Sequence, residues 1–259
     1  MTATITDRYA AFLRAYHRPA HGRRTVRSHA AFFLPRLAPG ARVLDIGCGP
    51  GSITTGLGEA VAPDGLVVGV DLDPGPAAVP LVRADVFRLP FPDGSFDALW
   101  ACAVLQHLGD PLGALREARR VCRPGAVVGV ADADRGGLLV EPPDPWIDRG
   151  HEILARLRDG TSIHVGRRLR GLLHAAGFVD VDARSRGGGA GGPECAAHAA
   201  QQVTLFEAPA LADVVVERGL ADREELAEIA AAWRRWGADP GATIALHWFE
   251  ATARVPAED

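Results

Sequence analysis

The run Val43-Leu44-Asp45-Ile46-Gly47-Cys48-Gly49-Pro50-Gly51 constrains this chain more than any other stretch. An apolar, strand-like segment carries an acid, and alternating glycines then lead into a segment with helical patterning. That order reads as a strand, a tight turn and a helix N-terminus. Glycine has no Cβ and tolerates positive φ, so such a turn lets the backbone come close to a ligand. Further on, a second apolar run, Leu66-Val67-Val68-Gly69-Val70, ends in Asp71. An acid about 20 residues past a glycine turn is where a nucleotide-binding α/β fold grips ribose hydroxyls. The pair points to a nucleoside-containing ligand.

The glycine spacing discriminates among such ligands. A dinucleotide fingerprint reads G-x-G-x-x-G and leads into a helix whose N-terminus faces a pyrophosphate. Counted from Gly47, this chain offers Gly47, Gly49 and then Ser52, with an extra glycine at Gly51. Asp45, two residues before the first glycine, would repel a pyrophosphate but suits an ammonium. The string Leu44 to Gly51 resembles the first motif of the class I, Rossmann-like S-adenosylmethionine-dependent methyltransferases. The resemblance places Asp45 near the methionine end of S-adenosyl-L-methionine and the glycine loop against the cofactor.

Further strings carry the same resemblance across residues 41 to 132. Arg83-Ala84-Asp85-Val86 follows a short third strand, where the family has an acid that accepts from the adenine amino group. Leu89-Pro90-Phe91-Pro92-Asp93-Gly94-Ser95-Phe96-Asp97 and Val104-Leu105-Gln106-His107-Leu108 are similar to the strings flanking the family's fourth strand. Arg120-Val121-Cys122-Arg123-Pro124-Gly125 is similar to the turn before the fifth, with Ala126 where another glycine is usual. The implied cofactor residues are Asp45, Gly47, Cys48, Gly49, Gly51, Asp71, Leu72, Asp85, Val86 and Cys102. Arg24-Thr25, Gly-Arg-Arg-Leu at 166 to 169 and Ala230-Ala231-Ala232-Trp233 look like a subgroup related to ubiquinone/menaquinone-type methyltransferases acting on small molecules.

His107 is the candidate catalytic base. It follows the fourth strand, at the carboxyl edge where open α/β sheets bind ligands. A base is useful only if the acceptor must lose a proton, and the alternative is that His107 merely lines the pocket. Tyr9, Tyr16, Arg24 and Trp146 read first as packing residues and second as groups closing over the cofactor or an apolar acceptor. His21 and His164 read as surface residues, and Trp233 with Trp236 as helical core.

Bulk properties narrow the partners. A formal charge of −4 provides no basic footprint for nucleic acid. All 28 basic residues are arginines, which excludes lysine-based covalent chemistry. The four cysteines show no C-x-x-C pair and no metal-ligand spacing, so a reduced, cytoplasmic setting without a metal is expected. The N-terminal residues lack a signal-peptide apolar core, and no membrane insertion is expected.

The expected fold is α/β: a Rossmann-like, seven-stranded, mostly parallel sheet with helices on both faces. Residues 1–38 form an N-terminal helical cap, 39–186 the cofactor-binding core, 187–240 a helical flap inserted before the last strand, and 241–259 that strand and the tail. Gly187 to Gly192 reads as a flexible loop. The link from Asp71 to Asp85 contains Pro74, Pro76 and Pro80. Proline costs a helix interior about 3 kcal/mol, so the usual helix reduces to a loop. Since parallel connections span about a dozen residues or more, the third strand is expected to be displaced and the adenine pocket more open.

The expected function is methyl transfer from S-adenosyl-L-methionine to a small-molecule acceptor, at oxygen or carbon. The alternatives are a methyltransferase-fold protein that binds cofactor without transfer and, third, a nicotinamide-dependent oxidoreductase.

Overall fold

Arg42–Ile46 forms β1, an interior strand of the sheet, and its apolar residues are buried. The computed structural model describes residues 12, 13, 15, 16, 22–158 and 162–257; Tyr9 and His21 lie outside the described residues. After β1 come α1 (Ser52–Val61), β2 (Leu66–Asp71), β3 (Leu81–Arg83) and β4 (Phe96–Cys102). The chain continues through α2 (Pro111–Arg120), β5 (Cys122–Glu141), α3 (Pro145–Arg156), α4 (Val165–Ala175) and β6 (Val179–Gly191). It ends with α5 (Pro193–Phe206), α6 (Pro209–Glu217), α7 (Arg223–Ala238) and β7 (Thr243–Arg254). The seven-stranded sheet has the order β3-β2-β1-β4-β5-β7-β6. The pairings β1–β2, β1–β4, β2–β3 and β4–β5 are all parallel. Strand order reverses between β1 and β4, which makes the crevice beyond their carboxyl ends the natural ligand site.

Local chemistry explains most element ends. Gly51, with φ of 78°, turns the chain into α1. Asp110 caps α2 by accepting from the Gly113 amide, and Pro111 occupies its first turn, where no amide is needed. Asp144 caps α3 in the same way through Trp146. Asp222 and Glu225 form a reciprocal capping box on α7.

The chain divides into two compact units. One comprises Arg18–Gly136, Gly160–Arg186 and His247–Asp259, and the other Met1–His17, Gly137–Asp159 and Gly187–Leu246. The first holds β1 to β4 and the glycine turn, with an apolar core built on Leu44, Ile46, Leu99, Leu115, Val128 and Leu169. The second is helical, and its core gathers around Trp233 and Trp236, both buried and 5.4 Å apart edge to face. Tyr16 and Trp146 pack against that core.

Several expectations need correction. The third strand is not displaced: β3 pairs with β2 through Gly69↔Leu81, Val70↔Val82 and Asp71↔Arg83. The link before it has no helix, as its prolines dictate, and it folds back so that the Gly75 amide donates to the Gly49 carbonyl at 2.9 Å. A loop of that length reaches because it need not climb a helix. Gly187–Gly191 is not a free loop but the end of β6. A Cβ at Gly189 would stand 3.4 Å from the Ile244 carbonyl of β7, so the arm lies along that strand. Likewise β5 runs ten residues past Ala131. Backbone partners extend both strands where residue chemistry gives no strand signal. Among the described residues ahead of β1, a π-helical turn forms at Val26–Ala30 and a 3-10 turn at Leu34–Arg36.

Candidate active site

The glycine turn is anchored before it does any chemistry. The amides of Gly47 and Cys48 donate to the Val70 carbonyl at 2.7 and 3.0 Å, tying the turn to the end of β2. Asp71 completes the tie, its Oδ2 accepting from the Gly49 amide and its Oδ1 from the Asp73 amide, both at 2.9 Å. Each carboxylate oxygen keeps a lone pair for a ligand hydroxyl.

Two glycines in the turn do different work. Gly47, with φ of 67°, is walled in: a Cβ there would meet Val104 Cγ2 at 2.2 Å. Gly49, with φ of 52°, faces open space, with nothing within 4 Å of a Cβ. That opening fits a cradle for a ligand lying on bare backbone.

Beneath the turn, Asp45 is 3% exposed. Its Oδ2 accepts from the Thr54 hydroxyl of α1 at 2.6 Å. Burial pushes its pKa up to about 7; the Thr54 hydrogen bond opposes this and the charge of Asp71 adds to it. An ammonium brought alongside would restore the ionised form.

The other expected residues fall around the same edge. Leu72 follows Asp71 and is 65% exposed, an apolar side chain left facing outward. Asp85 is exposed, its Oδ1 accepting from the Phe87 amide at 3.0 Å, and Val86 is half-buried. Cys48 and Cys102 are free thiols. Burial drives the Cys48 pKa far above its ordinary value and pushes Cys102 up to about 12, so neither is a thiolate nucleophile. His107 is exposed and closes the 3-10 turn Leu105–His107 just after β4. His164 does not stand alone on the surface. It lies 3.5 Å from Asp134, a buried carboxylate on β5 held also by the Arg167 guanidinium.

Sequence reasoning missed two residues here. Thr54 is the hydrogen-bonding cover of Asp45; a buried threonine on the apolar face of α1 was its only signal. Asp132 is fully buried just past the end of β4, where Cys102 pairs with Ala131. It accepts from the Gln106 amide at 3.3 Å and from its own neighbour Ala133 at 3.1 Å, and so holds the turn that carries His107. Burial raises its pKa to about 7 against those hydrogen bonds. The signal that marks Asp71, an acid ending an apolar run, also marks Asp132. Among the described residues no group of histidines, cysteines and carboxylates could hold a metal ion.

A buried acid thus lies under the glycine turn, and a second acid ends the next strand beside it. A methyltransferase-domain family model matches residues 44–130. An uncharacterized methyltransferase of Schizosaccharomyces pombe is 34% identical over 191 residues, covering 66% of this chain and 68% of that protein. A 37.1 kDa protein of a Streptomyces fradiae transposon is 36% identical over 169 residues, 59% of this chain; the chain spans only 48% of that relative's length. The demethylmenaquinone methyltransferase of Geobacillus stearothermophilus is 27% identical over 172 residues, covering 56% of this chain and 74% of the relative. The solved structure of YcgJ from Bacillus subtilis matches in fold, with a TM-score of 0.52 at 20% identity over 88% of this chain and 98% of that one. The chain belongs to the family of S-adenosylmethionine-dependent methyltransferases.

Proposed function

We propose that this protein transfers a methyl group from S-adenosyl-L-methionine to oxygen or carbon of a small-molecule acceptor, with quinol-like rings as the first acceptors to try. The observation that carries the reading is Asp45, buried under the turn of Gly47, Gly49 and Gly51 with Asp71 beside it. The Geobacillus relative's name supports the acceptor class. Among the described residues no helix is long and apolar enough to cross a membrane, and the charge of −4 gives nucleic acid no purchase.

The residues divide the binding task. Asp45 meets the ammonium of the methionine end, and the bare backbone at Gly49 allows close approach. Asp71 accepts from ribose hydroxyls with its remaining lone pairs. Leu72 and Val86 offer apolar cover to the adenine, and Asp85 accepts from its amino group. Cys48 and Cys102, neutral and small, line the cleft.

When bound, the cofactor supplies an electrophilic methyl on a sulfonium. Its displacement is in-line and needs an aligned acceptor more than a metal or a covalent intermediate. His107, on the turn fixed by Asp132, takes the proton of an acidic hydroxyl or carbon acid.

Titration calorimetry with S-adenosylhomocysteine, at protein concentrations well above micromolar, tests the cofactor half. Absence of heat sinks the reading. Release of S-adenosylhomocysteine on incubation with cofactor and a quinol panel tests the acceptor half; binding without turnover across broad panels would favour a cofactor-binding scaffold.

A further inference from the structure

Asp134 and His164 form a titratable pair that cofactor binding does not use. Both lie at the carboxyl edge of the sheet, past the point where Cys102 of β4 pairs with Ala131 of β5. Side chains two apart on a strand share a face, so the buried acids Asp132 and Asp134 leave β5 on the same side, about 7 Å apart. Asp132 holds the backbone of the turn that carries His107, while Asp134 reaches the His164 ring itself. The start of α4 presses on the strand between the two acids through Gly166, and α4 packs against the His107 turn. The two histidines therefore share one corner of the sheet edge.

The local chain is built to seat the His164 ring. The Ile163 carbonyl accepts from the Gly136 amide at 3.0 Å, and a Cβ at Gly136 would stand 1.9 Å from His164 Cε1. Glycine at 136 is what admits the imidazole. Arg167 donates to both oxygens of Asp134. His164 Nδ1 is buried and lies 3.5 Å from Asp134 Oδ1, too far for a good hydrogen bond. The side chain as a whole is still 46% exposed. Of the neighbouring charges, Arg135 donates to the Gln106 side chain, Arg170 donates to the Val181 carbonyl, and Arg168 is exposed.

An imidazole that faces a carboxylate through Nδ1 carries its proton there and presents the lone pair of Nε2. The carboxylate orients the ring and stabilises the imidazolium formed when Nε2 takes a proton. Arg167 already offsets the charge of Asp134, so that proton leaves the cluster positive, and a phenolate formed beside it restores neutrality. We infer that His164, positioned by Asp134, is a second proton acceptor of the acceptor site and takes the proton of a phenolic hydroxyl. The O–H bond breaks, the proton passes to Nε2, and the electron pair stays on the oxygen, which is left as the methyl-accepting nucleophile. The inference rests on the methyltransferase reading and adds to His107 a base whose carboxylate lies at the ring.

4-Nitrophenol, coloured as its phenolate, reads this proton directly. It is added to protein saturated with S-adenosylhomocysteine, and the apparent pKa of the bound phenol is followed by visible absorbance. In wild type it should fall by about one to three pH units below that of the free phenol, the effect of an opposite charge in contact. His164→Gln should return it to the free value and leave S-adenosylhomocysteine affinity unchanged. His107→Ala should keep most of the lowering, and Asp134→Asn only part of it. If Asp134→Asn fails to fold, His164→Gln decides alone. Absence of nitrophenol binding or of any lowering in wild type overturns the inference, as does a lowering that survives His164→Gln. Loss of the whole effect in His107→Ala overturns it too, because the proton then belongs to that residue. Weaker S-adenosylhomocysteine binding by His164→Gln reports a disturbed cofactor site and counts equally against it, and a full lowering in folded Asp134→Asn removes Asp134 from its positioning role. Failure of wild type to bind S-adenosylhomocysteine refutes the methyltransferase reading itself.

Discussion

Asp45 shows how one residue links stability to binding. Its pKa, raised to about 7, means the folded protein holds this proton more tightly than the unfolded chain. Stability is therefore greatest at low pH and is lost as pH rises from about 4, where an unfolded carboxyl ionises, to about 7. Asp45→Asn removes that penalty. Its unfolding free energy should exceed wild type by an amount that grows between about pH 4 and pH 7 and then levels off, by at most about 4 kcal/mol. The same variant should lose S-adenosylhomocysteine binding; a pH-independent stability difference would show that Asp45 is not the buried titrating group. Wild-type affinity should rise with pH through 7, because the ammonium needs the ionised acid. At the turn, Gly47→Ala should cost roughly 1–3 kcal/mol from overpacking against Val104, beyond the left-handed backbone cost of about 1–2 kcal/mol that Gly49→Ala shares. Gly49→Ala should instead be the variant that folds and fails to bind. Thermal unfolding and calorimetry on the pair check this, and equal stability losses would contradict the division of labour between the two glycines.

Among the elements, the turn and the strand ends matter more than any helix. Asp71 serves both the ligand and the loop, since its carboxylate anchors the Gly49 and Asp73 amides. Asp71→Ala should therefore weaken S-adenosylhomocysteine binding by an order of magnitude or more, at two hydrogen bonds of about 1 kcal/mol each. His107→Ala should leave that binding near wild type and lower only turnover. If His107→Ala abolishes cofactor binding, its role as a base is wrong. The close seating of α4 on β5 makes a separate element-level prediction. A Cβ at Gly166 would stand 2.9 Å from the Asp134 amide and 3.0 Å from the Asp132 carbonyl, backbone that cannot rotate away. Gly166→Ala should lower stability by roughly 1–3 kcal/mol, read as a lower denaturant midpoint with an unchanged slope. Legibility at this scale was uneven. Caps such as Asp110 and the Asp222–Glu225 box are local chemistry and could be read directly. The ends of β5 and β6 could not, because pairing with neighbouring backbone carries them through acids and a glycine run.

For the whole molecule, ligand linkage gives the broadest check. S-adenosylhomocysteine at a hundred times its dissociation constant should stabilise the fold by about 2.7 kcal/mol, a rise of about 5–10 °C in Tm for a chain of this size. Reduced nicotinamide dinucleotide should give no shift, and a comparable one would revive an oxidoreductase reading. The sequence by itself determined the strand–turn–helix at Val43–Gly51, the acids Asp45 and Asp71, the parallel core and, with them, the family. Those signals are short-range: glycine conformation, alternating burial and caps act within a few residues of their cause. Tertiary structure alone decided that β3 stays beside β2 despite a link without a helix. It also decided that Thr54 covers Asp45, that Asp132 fixes the turn bearing His107, and that Arg24 rests on Trp248 while Arg184 and Arg186 both pair with Glu250. Each of these depends on residues from different elements meeting, from nine residues apart for Asp45 and Thr54 to more than two hundred for Arg24 and Trp248, and only packing brings them together.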